Sequence, residues 1–117
     1  MAMHDWNGYR KQIGAGVGEV GKLSPGTVQG YVALSQAGAK TNLLDARTRE
    51  LIALAAAVSL RCDGCITVHA EEARKQGASK EEIAEALGVA VTIGAGASLV
   101  YTTRAMDAFS EAVKAAS

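Results

Sequence analysis

The chain has 117 residues, a length that suits one domain, 1–117, with a modest core. Hydrophobic residues make up 49%, aromatics only 4%, and 12 acidic residues balance 12 basic ones. That balance excludes a disordered chain, and it leaves no basic patch for nucleic acid and no polybasic segment for a membrane surface. Abundant small side chains favour close helix–helix approach but supply little bulk for a core, so a homo-oligomer is expected. The start of the chain has no charged stretch followed by an apolar run, so no signal peptide is expected. The run from Leu51 to Leu60 reads as the longest apolar stretch and is too short to span a bilayer. A cytoplasmic protein without membrane contact is the expectation.

Apolar residues recur at helical spacing from end to end, and the chain reads as all-α. Trp6, Tyr9, Ile13, Val17 and Val20 mark a first helix. Gly8, Gly14, Gly16 and Gly18 oppose it, each by about 1 kcal/mol. Ser24 as N-cap and Pro25 as first helical residue open a second helix, predicted to run to about Gln36 and stop at Gly38. Asp45 caps a third, whose apolar face is Leu51, Leu54, Ala55 and Val58. A fourth begins near Cys62 and ends at Gly77. Its inner stripe is Cys65, Ile66, His69, Ala70 and Ala73, with Glu71 and Lys75 paired on the outer side. Ser79 to Glu82 is a capping box, and the helix it opens carries Ile83, Leu87, Ala90 and Val91. Gly94, Ala95 and Gly96 are expected to interrupt or kink that helix. A last one follows with Leu99, Thr103, Met106 and Val113. Short loops between neighbours predict a compact bundle of five to six helices.

The chemistry concentrates in Cys-Asp-Gly-Cys-Ile-Thr-Val-His, residues 62–69, which hold both cysteines of the chain. In a reducing compartment, two close cysteines point to catalysis or metal binding rather than to a structural staple. Thiolate, not thiol, attacks peroxides and disulfides, and a free cysteine near pKa 8.5 needs help to ionise at neutral pH. Two causes are at hand: a helix N-terminus, whose partial positive charge favours an anion, and His69, one turn after Cys65 on the same face. Cys65 is therefore the candidate nucleophile and Cys62 the thiol that resolves its sulfenate. Glu50 lies on the preceding helix, flanking its apolar face. If the two helices fold back on each other, its carboxylate can orient His69 or pass protons through a water.

Blander readings stand beside these. The cysteines can be two small buried hydrophobes. His69 can be a satisfied core histidine, and Glu50 a solvated residue beside Arg47 and Arg49. Zinc needs four ligands, or three and a water; Cys62, Cys65 and His69 offer three and Glu50 a fourth, with His4 far off in the terminal segment. The run Gly14-Ala15-Gly16-Val17-Gly18 lacks the Lys-Ser/Thr ending and preceding strand of a phosphate loop, and Gly94-Ala95-Gly96 fails the same test. Trp6 and Tyr9 read as packing anchors, Tyr101 and Arg104 as surface residues.

Glu50 followed by Cys62, Cys65 and His69 resembles the Glu…Cys-x-x-Cys-x-x-x-His pattern of alkyl hydroperoxidase D-like proteins, in the carboxymuconolactone decarboxylase superfamily. The resemblance covers about residues 25–113, including the lead-in from Leu44 to Ile52. It implies an all-α fold assembled as trimers or hexamers, and reduction of peroxides or disulfides without a bound cofactor or metal. By position, Cys65 resembles the peroxide-attacking thiol, Cys62 its resolving partner, and His69 and Glu50 the proton relay. One departure is clear: the best-studied members carry a second histidine directly before the second cysteine, where this chain has Gly64. The cysteine pair argues against lactone decarboxylation. The expected protein is a thiol oxidoreductase that takes a hydroperoxide or disulfide substrate. Its electrons would come from an external dithiol such as a lipoyl-bearing or thioredoxin-like protein. The alternatives are a dithiol relay that reacts poorly with peroxide, and a non-enzymatic redox-sensing or metal-binding oligomer.

Overall fold

Four of the helices begin where a short side chain takes up a free backbone N–H, in the computed structural model, which describes residues 2–117. The helices are α1 (Trp6–Leu23), α2 (Pro25–Thr41), α3 (Ala46–Leu60), α4 (Asp63–Lys75) and α5 (Lys80–Ala116), with no strand among the described residues. Asp5 accepts the Gly8 N–H at 3.1 Å and Asp45 the Thr48 N–H at 2.8 Å. Ser79 accepts the Glu82 N–H at 3.0 Å while the Glu82 carboxylate accepts the Ser79 N–H at 2.9 Å, a complete capping box. Ser24 precedes Pro25 as expected, but its hydroxyl pairs with that of Thr27 at 2.8 Å instead of capping a backbone N–H.

Two boundaries differ from the sequence expectation. The second helix does not stop at Gly38 but runs to Thr41 and ends on Asn42 in the left-handed region, φ 48°. Gly38 serves close approach instead: a Cβ there would lie 2.7 Å from Cδ of Arg49. The Arg49 guanidinium donates to Asn42 Oδ1 at 3.1 Å and to the Leu44 carbonyl, which ties the end of α2 to the start of α3. Nor do Gly94 and Gly96 break the last helix. α5 is continuous over 37 residues, because a glycine weakens a helix without removing its backbone bonds. The described residues therefore form five helices.

The helices pack in the spatial order α2, α1, α4, α3, α5. Leu54 and Ala57 of α3 and Ala73 of α4 form the buried core, and Leu51, Ala55 and Val58 are half-buried beside them. On α4 the buried face is turned slightly from the expected stripe: Thr67 is buried and Ala70 is exposed. The Thr67 hydroxyl donates to the Trp6 carbonyl at 2.8 Å and so anchors α1 against α4. Glu71 does not pair with Lys75. It takes Arg74 at 2.7 Å, and Lys75 takes Glu72 at 3.2 Å, both one turn on the i,i+3 side.

The far half of α5 extends past the other helices, and the molecule measures 62 × 39 × 38 Å. Leu99, Val100, Tyr101, Met106 and Phe109 all stand in the open. α5 holds a window of mean hydropathy 1.8, making it long and apolar enough to cross a membrane by length and composition. It supersedes Leu51 to Leu60 as the longest apolar stretch.

Candidate functional site

α3 ends at Arg61, which adopts the left-handed conformation, φ 57°, and donates its N–H to Val58 O at 3.1 Å. That reversal turns the chain so that Cys62 becomes the N-cap of α4. Its Sγ accepts the Cys65 N–H at 3.2 Å. Cys62 and Cys65 are joined as a disulfide, with Cα atoms 5.3 Å apart. The cap and the bond have one origin: residues three apart across the first turn of a helix face each other.

His69 follows Cys65 by one turn. Its Nδ1 meets Glu50 Oε2 of α3 at 2.7 Å, and both side chains are partly buried, 28% and 22% exposed. An ionised carboxylate only accepts, so Nδ1 is the donor, and in the neutral imidazole Nε2 is then the nitrogen with a free lone pair. The fold-back of α3 against α4 that the sequence made conditional is thus present, and Glu50 braces His69 from behind.

A cavity of about 380 Å³ opens over the disulfide. Cys62, Cys65 and His69 border it, with Tyr9 and Ile13 from α1, Tyr31 from α2 and Val68 as walls. Cavities between α1 and α4, beside Trp6 and Arg10, and between the end of α3 and α5, beside Arg61 and Ser98, contain neither sulfur nor imidazole. Gly64 lies under α1: a Cβ there would stand 3.1 Å from Ile13 Cδ1 and 3.9 Å from Tyr9 Oη.

All four residues singled out in the sequence, Glu50, Cys62, Cys65 and His69, come together here. Tyr9 was expected only to pack; it borders the cavity, as do Ile13 and Tyr31, which sequence reasoning passed over. The signal was a bare glycine inside the motif, which leaves room for side chains from elsewhere. Tyr101 and Arg104 lie on the exposed part of α5, the guanidinium 5.1 Å from the ring centre. His4 rests edge-on against Trp6 at 5.2 Å. Joined as a disulfide, the sulfurs cannot ligate zinc as thiolates. No group of three or more His, Cys, Asp or Glu side chains among the described residues is arranged to hold a metal.

Residues 25–115 match the carboxymuconolactone decarboxylase family. An uncharacterized protein of Haemophilus influenzae is 50% identical over 106 residues, spanning 91% of this chain and 94% of that one. Protein 4 of the cox locus of Paracoccus denitrificans is 35% identical over 97 residues, 83% of this chain and 87% of its own length. Among solved structures, a carboxymuconolactone decarboxylase family protein from Legionella pneumophila, in its apo form, superposes with a TM-score of 0.73 at 40% identity. It covers 91% of this chain and 95% of that one. A protein from Methanobacterium thermoautotrophicum gives 0.66 at 32% identity over 71% and 93%.

Proposed function

The chain belongs to the carboxymuconolactone decarboxylase family, and from that premise we propose that it is an alkyl hydroperoxidase D-like thiol oxidoreductase that reduces hydroperoxides with electrons from a dithiol protein. The observation that carries this reading is the Cys62–Cys65 pair at bonding distance, one helical turn from a histidine whose Nδ1 is held by Glu50.

In the reduced enzyme, Nε2 of His69 takes the Cys65 thiol proton. The thiolate attacks the terminal oxygen of a hydroperoxide. An S–O bond forms, the O–O bond breaks, and the leaving alkoxide takes the proton from His69 to become an alcohol. Glu50 stabilises the imidazolium in between and holds its orientation, as a carboxylate does in a catalytic triad. The Cys62 thiol then condenses with the Cys65 sulfenic acid, releasing water and forming the disulfide. An external dithiol, lipoyl-bearing or thioredoxin-like, restores both thiols by two exchange steps and leaves as a disulfide. No bound cofactor or metal is needed. A cytoplasmic setting belongs to the same proposal, because reducing partners keep such a pair turning over. So does a homo-oligomer, a trimer or hexamer.

A second reading, dithiol relay with little peroxidase activity, is favoured by Cys62. As N-cap of α4 its sulfur already accepts a backbone N–H, and that environment stabilises a thiolate suited to exchange with a partner disulfide.

Thiol loss in pre-reduced protein after one equivalent of an organic hydroperoxide decides between them. The peroxidase reading expects fast loss of both thiols, absent in Cys65→Ser. Loss no faster than that of a free cysteine, with fast exchange with thioredoxin-like dithiols, would leave the relay.

A further inference from the structure

We propose that Tyr9 is a further residue of this site, a hydrogen-bond donor to the oxygen that leaves when a hydroperoxide is cleaved over Cys65; the proposal rests on the peroxidase reading above.

Three observations converge on it. First, α1 lies outside residues 25–115, the span that matches the family, yet it forms a wall of the cavity over the disulfide. Second, α1 takes the space that a side chain at position 64 would occupy, with Ile13 Cδ1 at 3.1 Å and Tyr9 Oη at 3.9 Å from a Gly64 Cβ. A Cβ there would press Ile13 back by a few tenths of an ångström, so the bare glycine lets α1 sit close over the motif. Third, the bond from Thr67 to the Trp6 carbonyl, 2.8 Å, fixes the first turn of α1 on α4. Tyr9 follows three residues later on the same helix face.

The result is a phenol hydroxyl beside Gly64, in a cavity wall where Ile13 and Val68 are apolar and Tyr31 and Asp63 are the other polar groups from outside the cysteine–histidine set. A phenol can donate without being charged. At the start of the reaction it faces a neutral hydroperoxide. As the O–O bond breaks, the electron pair moves to the leaving oxygen, and a donor already in place interacts more strongly with that charge than with the ground state. His69 supplies the proton that completes the alcohol, and Tyr9 keeps its own. Tyr9 thus supplies, from another helix, a hydroxyl to the cavity that Cys65 borders, 3.9 Å from where a Gly64 Cβ would stand.

Tyr9→Phe tests this, since the ring stays and only the hydroxyl goes, at a side chain 41% exposed. Two rates are measured on pre-reduced protein: thiol loss with an organic hydroperoxide, and alkylation by iodoacetamide across a pH series. Alkylation reads thiolate formation and access but produces no alkoxide. The expected result is hydroperoxide reduction slowed by about threefold to tenfold, the loss of one hydrogen bond, with the alkylation profile unchanged. Equal hydroperoxide rates in parent and variant would overturn the role of Tyr9 and leave the peroxidase reading intact. Parallel slowing of both rates would also overturn it, since it would place Tyr9 in packing or thiol ionisation. A parent that alkylates normally but ignores hydroperoxide would remove the peroxidase reading, and this proposal with it.

Discussion

His69 is held at one nitrogen and free at the other, and that asymmetry makes it useful. The 2.7 Å bond from Nδ1 to Glu50 Oε2 engages that nitrogen and leaves Nε2 for the chemistry, in a residue that borders the cavity. Removing the base by His69→Ala should slow peroxide-driven thiol loss by about a hundredfold, the low end of general base catalysis. Glu50→Gln keeps an oxygen that can accept from Nδ1 but loses the charge that stabilises imidazolium. It should cost less, about tenfold, the difference between a charged and a neutral acceptor. Stopped-flow thiol titration of the two variants beside the parent checks the order. A Glu50→Gln rate equal to the parent would reduce the carboxylate to packing. The i,i+4 relation of Cys65 and His69 was legible in sequence because both lie on one helix. The partnership of Glu50 with His69 was legible only as a condition and through the family pattern, because it forms only once α3 lies against α4.

The helix ends carry the protein's clearest response to acid. The Thr48 hydroxyl and N–H hold the Asp45 carboxyl below its ordinary range. The Arg74 guanidinium takes Glu71 from 4.5 down to about 2. The Ser79 N–H lowers Glu82 within the capping box. Each group binds its proton more weakly folded than unfolded. Its contribution is therefore complete above the unfolded value and is lost as pH falls through the folded one. Thermal melts should give a level Tm from neutrality down to about pH 5 and a decline from about pH 4.5 towards 2. Glu82→Gln should flatten part of that decline. A Tm that falls mainly above pH 5 would assign the acid response to other groups. Asp45 and Ser79 were readable as caps because their bonds reach only three residues along the chain. The length of α5 was not readable: Gly94 and Gly96 looked like breaks, and only the continuous backbone ladder shows that they are not.

One copy of the chain is more open than a compact monomer of its size. Its radius of gyration is 19.7 Å, against about 13 Å for a compact chain of about this length. Its accessible surface is 8991 Å², against about 6,000 Å² for a compact monomer of 12.0 kDa. The excess is of the size that obligate interfaces bury, and exposed apolar side chains stand on the far half of α5 as well as on α1 and α2. Burial of Leu99, Val100, Tyr101 and Phe109 between copies is the proposed resolution. Light scattering after gel filtration should return a multiple of 12.0 kDa, and Leu99→Asp should shift the mass towards a single copy. A parent that runs as a monomer would sink the oligomer. A parent recovered only with detergent would instead favour a bilayer for α5.

The amino-acid sequence by itself determined the all-α class, four of the five helix starts as observed caps or the Ser24–Pro25 step, and the thiol, thiol and imidazole on the first two turns of α4. These rest on periodicity, capping and i,i+3 or i,i+4 spacing, which act within a few residues of chain. Tertiary structure alone decided that Glu50 reaches His69, that Tyr9 and Ile13 wall the cavity over Gly64, and that α5 runs unbroken beyond the body of the protein. Those outcomes depend on which helix faces lie against each other, and residues far apart in sequence meet only after the helices have packed.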